Sequence, residues 1–278
     1  MRKVVDNYES SFNLNTQLER YFDQGPGATP LKRKTQKVVA AIIPSSPHEF
    51  TGVCSAWAYK DIGETPQPST YVIMGNVRSS TLSEKAFIST QDLTTPIGAI
   101  RNDRTSVGKL LDNNFVINEI AHQDAHPIDV QLPFLQFINA ESPNTFRVVP
   151  ILTSTLNLDK LKQMAEKLAK LKDVIYIASS DLINYGPAYK FTFNYNPKQE
   201  VEALRTRLLE KITYLNTKDF VDIVQKSGVP FYGAAPIALL LETLRLKKVQ
   251  NGKLLCHYKS AKNEDNFIDF ASIVYNEA

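Results

Sequence analysis

Imidazole and thiol side chains are scarce in this sequence, whose 278 residues include only four His and two Cys. A four-cysteine zinc site and an all-cysteine iron–sulfur cluster are therefore excluded, because each needs four thiolates. The two cysteines, Cys54 and Cys256, lie far apart in the sequence and form no disulfide framework, which favours a reduced, cytoplasmic protein. The 32 Lys and Arg exceed the 29 Asp and Glu by only three charges, too few to indicate a nucleic-acid partner.

Long apolar runs are also missing. A membrane helix needs about 20 apolar residues, whereas the run at residues 38–43 (VVAAII) has only the length of a strand. The first residues, MRKVVDNYESS, lack the apolar segment of a signal peptide. We therefore expect no association with a membrane.

Several motifs of nucleotide and hydrolase chemistry are absent too. The sequence contains no G-x-G-x-x-G after a strand, no Walker loop, no G-x-S-x-G and no H-E-x-x-H. It gives no support for a phosphate cradle, a nucleophile elbow or a zinc protease.

What the sequence does contain is an alternation of strand-like and helix-like segments. Apolar, β-branched runs predict strands at residues 38–43, 70–75, 146–152 and 174–179. Helical periodicity occurs at residues 14–24, 102–111 (with Asp103 as N-cap), 158–171, 197–214 and 235–246. The last segments, KLLCHY and NFIDFASIVY, predict two antiparallel strands. The order predicts an α/β fold with a mainly parallel sheet and helices on both faces. We interpret residues 1–278 as one domain, with residues 1–36 as an N-terminal helical arm and basic loop.

Polar residues follow three of the predicted strands, where open α/β sheets bind ligands. The segments are residues 44–52 (PSSPHEFTG), 75–80 (GNVRSS) and 179–186 (SSDLINYG). A fourth polar cluster spans residues 122–131 (HQDAHPIDVQ). If Pro127 opens a helix there, His126 lies at its N-cap and Asp129 in its first turn, where the helix dipole favours a carboxylate.

Each of these residues also has a purely structural explanation. Residues 179–181 can form a turn and a helix cap. Arg78 can be a surface residue whose stem covers apolar neighbours. In the same structural interpretation, His48 and His122 lie in solvated loops, and Phe231 and Tyr232 fill the core.

Taken together, the segments resemble the Memo family, whose bacterial and archaeal members are called AmmeMemoRadiSam system protein B. Residues 125–133 (AHPIDVQLP) are similar to the family's E-H-S-[I/L]-E-[V/M]-[Q/H]-L-P, and residues 179–186 to its S-S-D-[L/F]-x-H-[Y/W]-G. The resemblance covers nearly the whole chain, from SFNLNTQLERYF to FASIVY. It implies an α/β fold resembling class III extradiol dioxygenases. It also implies a cleft in which two His and one Cys bind iron or copper, and two partners: a radical SAM protein and the system's protein A.

The sequence departs from the family pattern at the ligand positions. Ser45 stands where the first His is expected, Arg78 at the second His and Tyr232 at the Cys, while Asn184 replaces the His of the second motif. A shifted alignment would bring His48 to the first position. Arginine has no lone pair to offer a metal. The comparison therefore predicts no metal and no cofactor in this chain.

The loss of ligands coincides with the gain of a fixed positive charge at Arg78. We hypothesise that this guanidinium replaces the charge of the metal beside Asp181 and Asp129. A well-formed, charge-assisted pair of this kind contributes about 1.5 to 3 kcal/mol.

Three functions follow from these residues. The first is a metal-free pseudoenzyme of the Memo family that acts as a binding or partner protein, either for the partners named above or for a small anionic or peptide ligand. The second is a metal-independent enzyme in which His126 and Asp181 carry out acid–base chemistry, with Tyr232 nearby. The third, a metal-dependent oxidoreductase resembling the dioxygenases, conflicts with the ligand positions. The predicted cleft comprises Ser45, His48, Arg78, Asp129, Ser180, Asn184 and Tyr232.

Overall fold

Parallel strands form the middle of a large mixed sheet. A computed structural model of the protein describes residues 1–4, 11–31, 36–77, 83–141, 145–260 and 265–277. In chain order the strands are β1 (Arg2–Lys3), β2 (Val38–Ile43), β3 (Thr70–Asn76), β4 (Ala86–Ile88), β5 (Leu93–Thr95), β6 (Gly98–Asn102), β7 (Phe115–Ile117), β8 (Arg147–Thr153), β9 (Val174–Ser179), β10 (Asn184–Tyr185), β11 (Gly252–Lys259) and β12 (Phe267–Asn276).

The strand order along the sheet is β1-β5-β6-β8-β3-β9-β2-β12-β10. From β6 to β2 all neighbours are parallel, so the carboxyl ends of β8, β3, β9 and β2 meet at one edge. Strand β12 is antiparallel to β2, and the hairpin partner β11 is antiparallel to β12. Off this path, β4 pairs antiparallel with β8 and parallel with β7.

Helices cover both faces of this sheet. They are α1 (Ser11–Gln24), α2 (His48–Glu64), α3 (Arg104–Leu110), α4 (His126–Asp129), α5 (Leu132–Ile138), α6 (Leu158–Leu168), α7 (Pro197–Thr213), α8 (Thr217–Ser227) and α9 (Ala234–Leu246), with a 3-10 turn at Pro187–Tyr189. None of the helices in the described part of the chain combines the length and the apolar character needed to cross a bilayer.

The alternation of side chains along the central strands produces two apolar layers. On β9, Tyr176 and Ala178 face the layer that includes α3, α6, α8 and α9, whereas Ile175 and Ile177 face the layer of α1, α2 and α5. Because successive side chains of a strand point to opposite faces, a strand that is buried on both sides must be apolar throughout. All six residues of β2 and of β9 are buried.

The predicted α/β fold class is confirmed, with its mainly parallel sheet and its helices on both faces. The predicted strands and helices correspond to β2, β3, β8 and β9 and to α1, α3, α6, α7 and α9, and the C-terminal strands pair antiparallel as expected. Asp103 caps α3, since its carboxylate accepts a hydrogen bond from the backbone N–H of Ser106. The assignment of all residues to one domain with an N-terminal arm stays a prediction.

Candidate functional site

Asp181 lies at the edge where the parallel strands end, just after β9. Its Oδ1 accepts hydrogen bonds from the backbone N–H groups of Ser45 at 2.8 Å and Ser46 at 3.1 Å. The hydroxyl of Ser46 donates to Oδ2 at 2.5 Å. The two serines come directly after β2, the parallel neighbour of β9, so strand pairing brings these groups together. The turn after β2 thus holds the carboxylate in a fixed orientation.

The environment of Asp181 changes its acidity. Burial raises the pKa of this carboxyl above the usual range of an aspartate, although the hydrogen bonds from Ser45 and Ser46 and the nearby His126 lower it. Burial is the largest of these effects, because taking a carboxylate out of water penalises its charged form. A carboxyl group with a raised pKa beside an imidazole is an arrangement that suits proton exchange or hydrogen bonding to a ligand.

Helix α4 brings His126 to this edge. The helix begins after Ala125 and has Pro127 in its first turn, as the sequence predicts. It packs over the end of β3 at Gly75, where an added Cβ would lie 2.8 Å from the Cβ of Pro127. The glycine therefore allows the helix to approach the strand and places the half-buried His126 close enough to Asp181 to influence its pKa.

Asp129, at the end of α4, is fully buried and forms an ion pair with Arg2 of β1. The Arg2 Nη1 lies 2.8 Å from Oδ2, and its Nη2 contacts Oδ1, which gives a two-pronged contact between guanidinium and carboxylate. The hypothesis placed a cation from Arg78 beside Asp129. Arg78 lies outside the described residues, so this hypothesis stays a prediction; among the described residues, Arg2 provides a cation beside Asp129. Nothing in the sequence pattern singles out Arg2, which reaches Asp129 because β1 pairs with β5.

Gln131 connects the ends of two central strands. Its amide nitrogen donates to the carbonyl of Pro44 at 2.8 Å and to the hydroxyl of Ser179 at 2.7 Å, while its amide oxygen accepts from the hydroxyl of Tyr59 at 2.7 Å. The side chain is 1% exposed. Gln131 belongs to the predicted polar cluster at residues 122–131, and its contacts make it a structural support for the edge rather than a group that faces a ligand.

The turn before α9 packs against the end of β9. Gly233 contacts Ser180 so closely that an added Cβ would lie 1.8 Å from the Ser180 Oγ. Tyr232, the residue before Gly233, is 64% exposed, so the alternative interpretation that it fills the core is wrong, and its place in the cleft stays a prediction. Phe231, in contrast, is buried as predicted. Sequence reasoning missed Tyr189, whose pKa is raised by burial and then by Tyr232 and Asp181.

Asn184 stabilises the loop that leads into this turn. It is 2% exposed, and its side-chain amide donates to the carbonyl of Pro230 at 3.1 Å. Its backbone N–H reaches the same carbonyl at 3.3 Å. The residue that replaces the family's histidine thus fixes the loop that carries Tyr232.

His48 and His122 are both buried, so the alternative interpretation that they lie in solvated loops is wrong. The Nε2 of His48 is 2.6 Å from the carbonyl oxygen of Val130, and its ring packs edge-on against Phe134 with centroids 5.1 Å apart. The Nε2 of His122 is 3.0 Å from the carbonyl oxygen of Phe87. Both rings belong to the packing around the sheet.

The described side chains at the expected ligand positions are Ser45, Asn184 and Tyr232, none of which is an imidazole or a thiolate, and the fourth position, Arg78, lies outside the described residues. Throughout the described ranges, no group of three or more His, Cys, Asp or Glu side chains could hold a metal ion. His48 is committed to a backbone carbonyl, and Asn184 to another. Cys54 lies within α2, and Cys256 lies within β11, one of the two C-terminal strands that the sequence predicts. The structure thus brings Ser45, Ser180, Asp181 and His126 to one edge and leaves His48 and Asn184 as supports.

Comparison with known proteins identifies relatives over nearly the whole length. A family model described as Memo-like protein matches residues 7–274. A MEMO1 family protein of Methanopyrus kandleri is 26% identical over 262 residues, which cover 90% of this chain and 88% of that protein. A MEMO1 family protein of Thermococcus onnurineus is 25% identical over 286 residues, with 97% and 96% covered. The corresponding protein of Pyrococcus abyssi is 26% identical over 284 residues, with 96% and 95% covered.

A solved structure shares the fold. The crystal structure of an uncharacterized protein from Escherichia coli K12 superimposes with a TM-score of 0.52 and 11% sequence identity, covering 86% of this chain and 99% of that one. At this identity the likeness concerns the fold alone. The likeness to dioxygenases that the sequence resemblance implies stays a prediction.

Proposed function

The chain belongs to the Memo family, and from this premise we propose that it is a binding or partner protein without a metal centre, using the cleft at the carboxyl ends of its central strands. The observation that carries the proposal is the set of groups at this edge. Asp181 is oriented by Ser45 and Ser46 and lies near His126, while the exposed Tyr232 directly precedes Gly233, which packs against Ser180.

These groups support recognition by hydrogen bonding. A carboxyl, an imidazole and a phenol can each donate or accept a hydrogen bond, and an exposed tyrosine adds apolar contact area at a small cost in side-chain entropy. Such a set suits a peptide segment of a partner or a small polar ligand. Family membership supports two partners, a radical SAM protein and the second small protein of the system, protein A.

The test is direct binding between this purified protein and each of those two proteins from the same genome, measured by isothermal titration calorimetry. We expect a stoichiometric complex with at least one of them. The Tyr232→Ala variant should weaken it about tenfold, a loss of about 1.4 kcal/mol. Tyr214→Ala is a matched control, because Tyr214 is 65% exposed and lies at the far end of α7. An equal loss with both variants, or no complex with either protein, contradicts the partner proposal.

The metal-free part of the proposal has its own test. Protein purified without chelators should contain far less than one iron or copper ion per chain, as measured by elemental mass spectrometry. It should also bind neither ion tightly when titrated. A stoichiometric iron or copper signal that is lost in His126→Ala would overturn this part and leave partner binding to be judged by calorimetry.

A second function is supported by the raised pKa of Asp181 beside His126. In this alternative the protein is a metal-independent enzyme, with the two side chains exchanging a proton with a substrate. The distinguishing experiment incubates the protein with a metabolite extract and follows the mixture by nuclear magnetic resonance. Signals that change with the wild type but not with Asp181→Asn favour the enzyme, whereas an unchanged extract together with partner binding favours the binding protein.

A further inference from the structure

The two cysteines of the chain meet between α2 and β11, although 202 positions separate them in the sequence. The thiol of Cys54 lies 4.0 Å from the backbone carbonyl oxygen of Cys256 and 3.6 Å from the hydroxyl oxygen of Ser272. The Ser272 hydroxyl in turn donates to the carbonyl of Cys54 at 2.6 Å. Cys54 is therefore anchored against β12 at the position of Ser272.

Strand register brings the second thiol to the same place. Cys256 lies directly opposite Ser272 in the antiparallel pair of β11 and β12. Opposite residues project from the same face of a sheet, with their Cβ atoms about 5 Å apart. Because Ser272 points at α2, Cys256 does so as well. The phenol of Tyr258, two residues further along β11, donates to the carbonyl of Phe50 at 2.6 Å and holds the strand against α2.

From this convergence we propose that Cys54 and Cys256 form a reversible intramolecular disulfide, with Cys256 as the thiol that reacts first and hydrogen peroxide as the oxidant. Cys256 is partly exposed, whereas Cys54 is buried, so an oxidant reaches Cys256 first. The site is independent of the proposed binding function.

The acidity of the two thiols agrees with this order. A hydrogen bond between the side chains of Cys54 and Cys256 lowers the pKa of the Cys256 thiol against the opposing effect of burial. The same bond, together with burial, raises the pKa of Cys54, and the charge of Asp181 adds a smaller rise. The thiolate is the reactive form of cysteine, so Cys256 is the nucleophile of the pair.

The reaction balances in two steps. The Cys256 thiolate attacks one oxygen of hydrogen peroxide, the O–O bond breaks, and a sulfenic acid and hydroxide are formed. The Cys54 sulfur then attacks the Cys256 sulfur, the S–O bond breaks, and water leaves with the thiol proton. Two thiols and one peroxide thus yield one disulfide and two waters, and a dithiol reductant reverses the change.

The test treats the folded full-length protein with hydrogen peroxide and then labels the remaining thiols with a maleimide mass tag in denaturant. We expect neither cysteine to be labelled after peroxide treatment, while the protein stays monomeric on a non-reducing gel. Both cysteines should be labelled again after reduction with dithiothreitol. Peptide mass spectrometry should identify the link between Cys54 and Cys256. Labelling of both cysteines after peroxide treatment, or a disulfide that forms only between two chains, overturns the proposal.

Serine variants test the order of reaction. Cys54→Ser should leave a sulfenic acid on Cys256 that dimedone traps, because no second thiol resolves it. Cys256→Ser should slow the loss of the Cys54 thiol at least tenfold. The opposite pattern, with dimedone trapped on Cys54 alone, contradicts the assignment of Cys256 as nucleophile. Melting curves in reductant establish that both variants fold, and the wild-type measurement stands without them.

Discussion

Acid should destabilise this protein through His122, whose ring is fully buried. Its Nε2 donates to the carbonyl of Phe87, so Nε2 carries the proton of the neutral ring, and its buried Nδ1 has no hydrogen-bond partner among the described residues. Burial lowers the pKa of His122 to about 4, and the nearby Arg2 adds to this effect, while the Phe87 carbonyl and Glu119 oppose it.

The size of the effect follows from linkage. An unfolded histidine has a pKa of about 6.5, so the unfolded chain binds a proton at a pH where the folded protein does not. The stabilisation from His122 is fully present above pH 6.5 and is lost as the pH falls toward 4. At about 1.4 kcal/mol per pH unit, the loss is about 3 kcal/mol, a substantial fraction of the stability of an ordinary domain.

The assay is urea unfolding of the wild type and of His122→Gln at a series of pH values from about 7.5 to 4. Glutamine retains an N–H that can donate to the Phe87 carbonyl, but it does not titrate. The difference between the two free energies of unfolding therefore isolates His122 from every other group. We expect the wild type to lose about 3 kcal/mol more than the variant between these limits. Parallel curves would refute the reasoning. So would a titration near pH 6.5 of the His122 imidazole resonance in the folded protein, which is identified by its absence from the spectrum of His122→Gln.

Three further predictions concern the cleft and its supports. Folding raises the pKa of the Asp181 carboxyl. The stability that this carboxyl contributes is therefore present below the pKa of an unfolded aspartate and is lost as the pH rises through the pKa of the folded protein. Asp181→Asn should raise the melting temperature at pH 7 while weakening partner binding. Arg2→Met should lower the free energy of unfolding in urea by about 3 to 5 kcal/mol, since it removes a cation from the buried Asp129. The double variant with Asp129→Asn should recover most of this stability, and an equal loss in the single and the double variant would contradict the pairing. Gly233→Ala should lower both the melting temperature and partner affinity, because its Cβ would lie 1.8 Å from the Ser180 Oγ.

The glycine substitution has a matched control in α3. A Cβ on Gly108 would meet no atom within 4 Å, and alanine is the better helix former by up to about 1 kcal/mol. Gly108→Ala should leave partner binding unchanged and hold or raise the melting temperature. A loss of binding in this variant as well would show that the effect at Gly233 is not local.

The central layer of the fold could be predicted because its signals are local. The runs at β2, β3 and β9 are apolar at nearly every position, which is the pattern of a strand buried on both faces. Helix α8 is absent from the predicted helices, and its N-cap is Asn216, whose side chain accepts a hydrogen bond from the N–H of Asp219. That capping signal is visible in the sequence and could have identified the helix.

The candidate site could be predicted only in part, because several of its contacts join distant positions. Arg2 and Asp129 are 127 residues apart, and their pairing depends on where β1 docks rather than on any periodicity. The meeting of Cys54 with Cys256 depends in the same way on the register of β11 against β12. Asp181 and Ser45 were foreseeable, since both follow parallel strands, and the carboxyl ends of such strands share one edge.

Within the part of the chain that the structure describes, the charges at the strand ends support our proposal that a ligand is recognised by hydrogen bonds more than by charge. Among the described residues, the buried carboxylate of Asp129 is already balanced by Arg2, so this pair presents little net charge to a ligand. Asp181 is instead held by serine donors, which orient its carboxyl without neutralising it by a full positive charge. A ligand that donates a hydrogen bond to Asp181 and contacts Tyr232 satisfies both groups. Its affinity should therefore depend on pH through Asp181 and only weakly on salt, because screening acts on exposed charges far more than on buried, hydrogen-bonded ones.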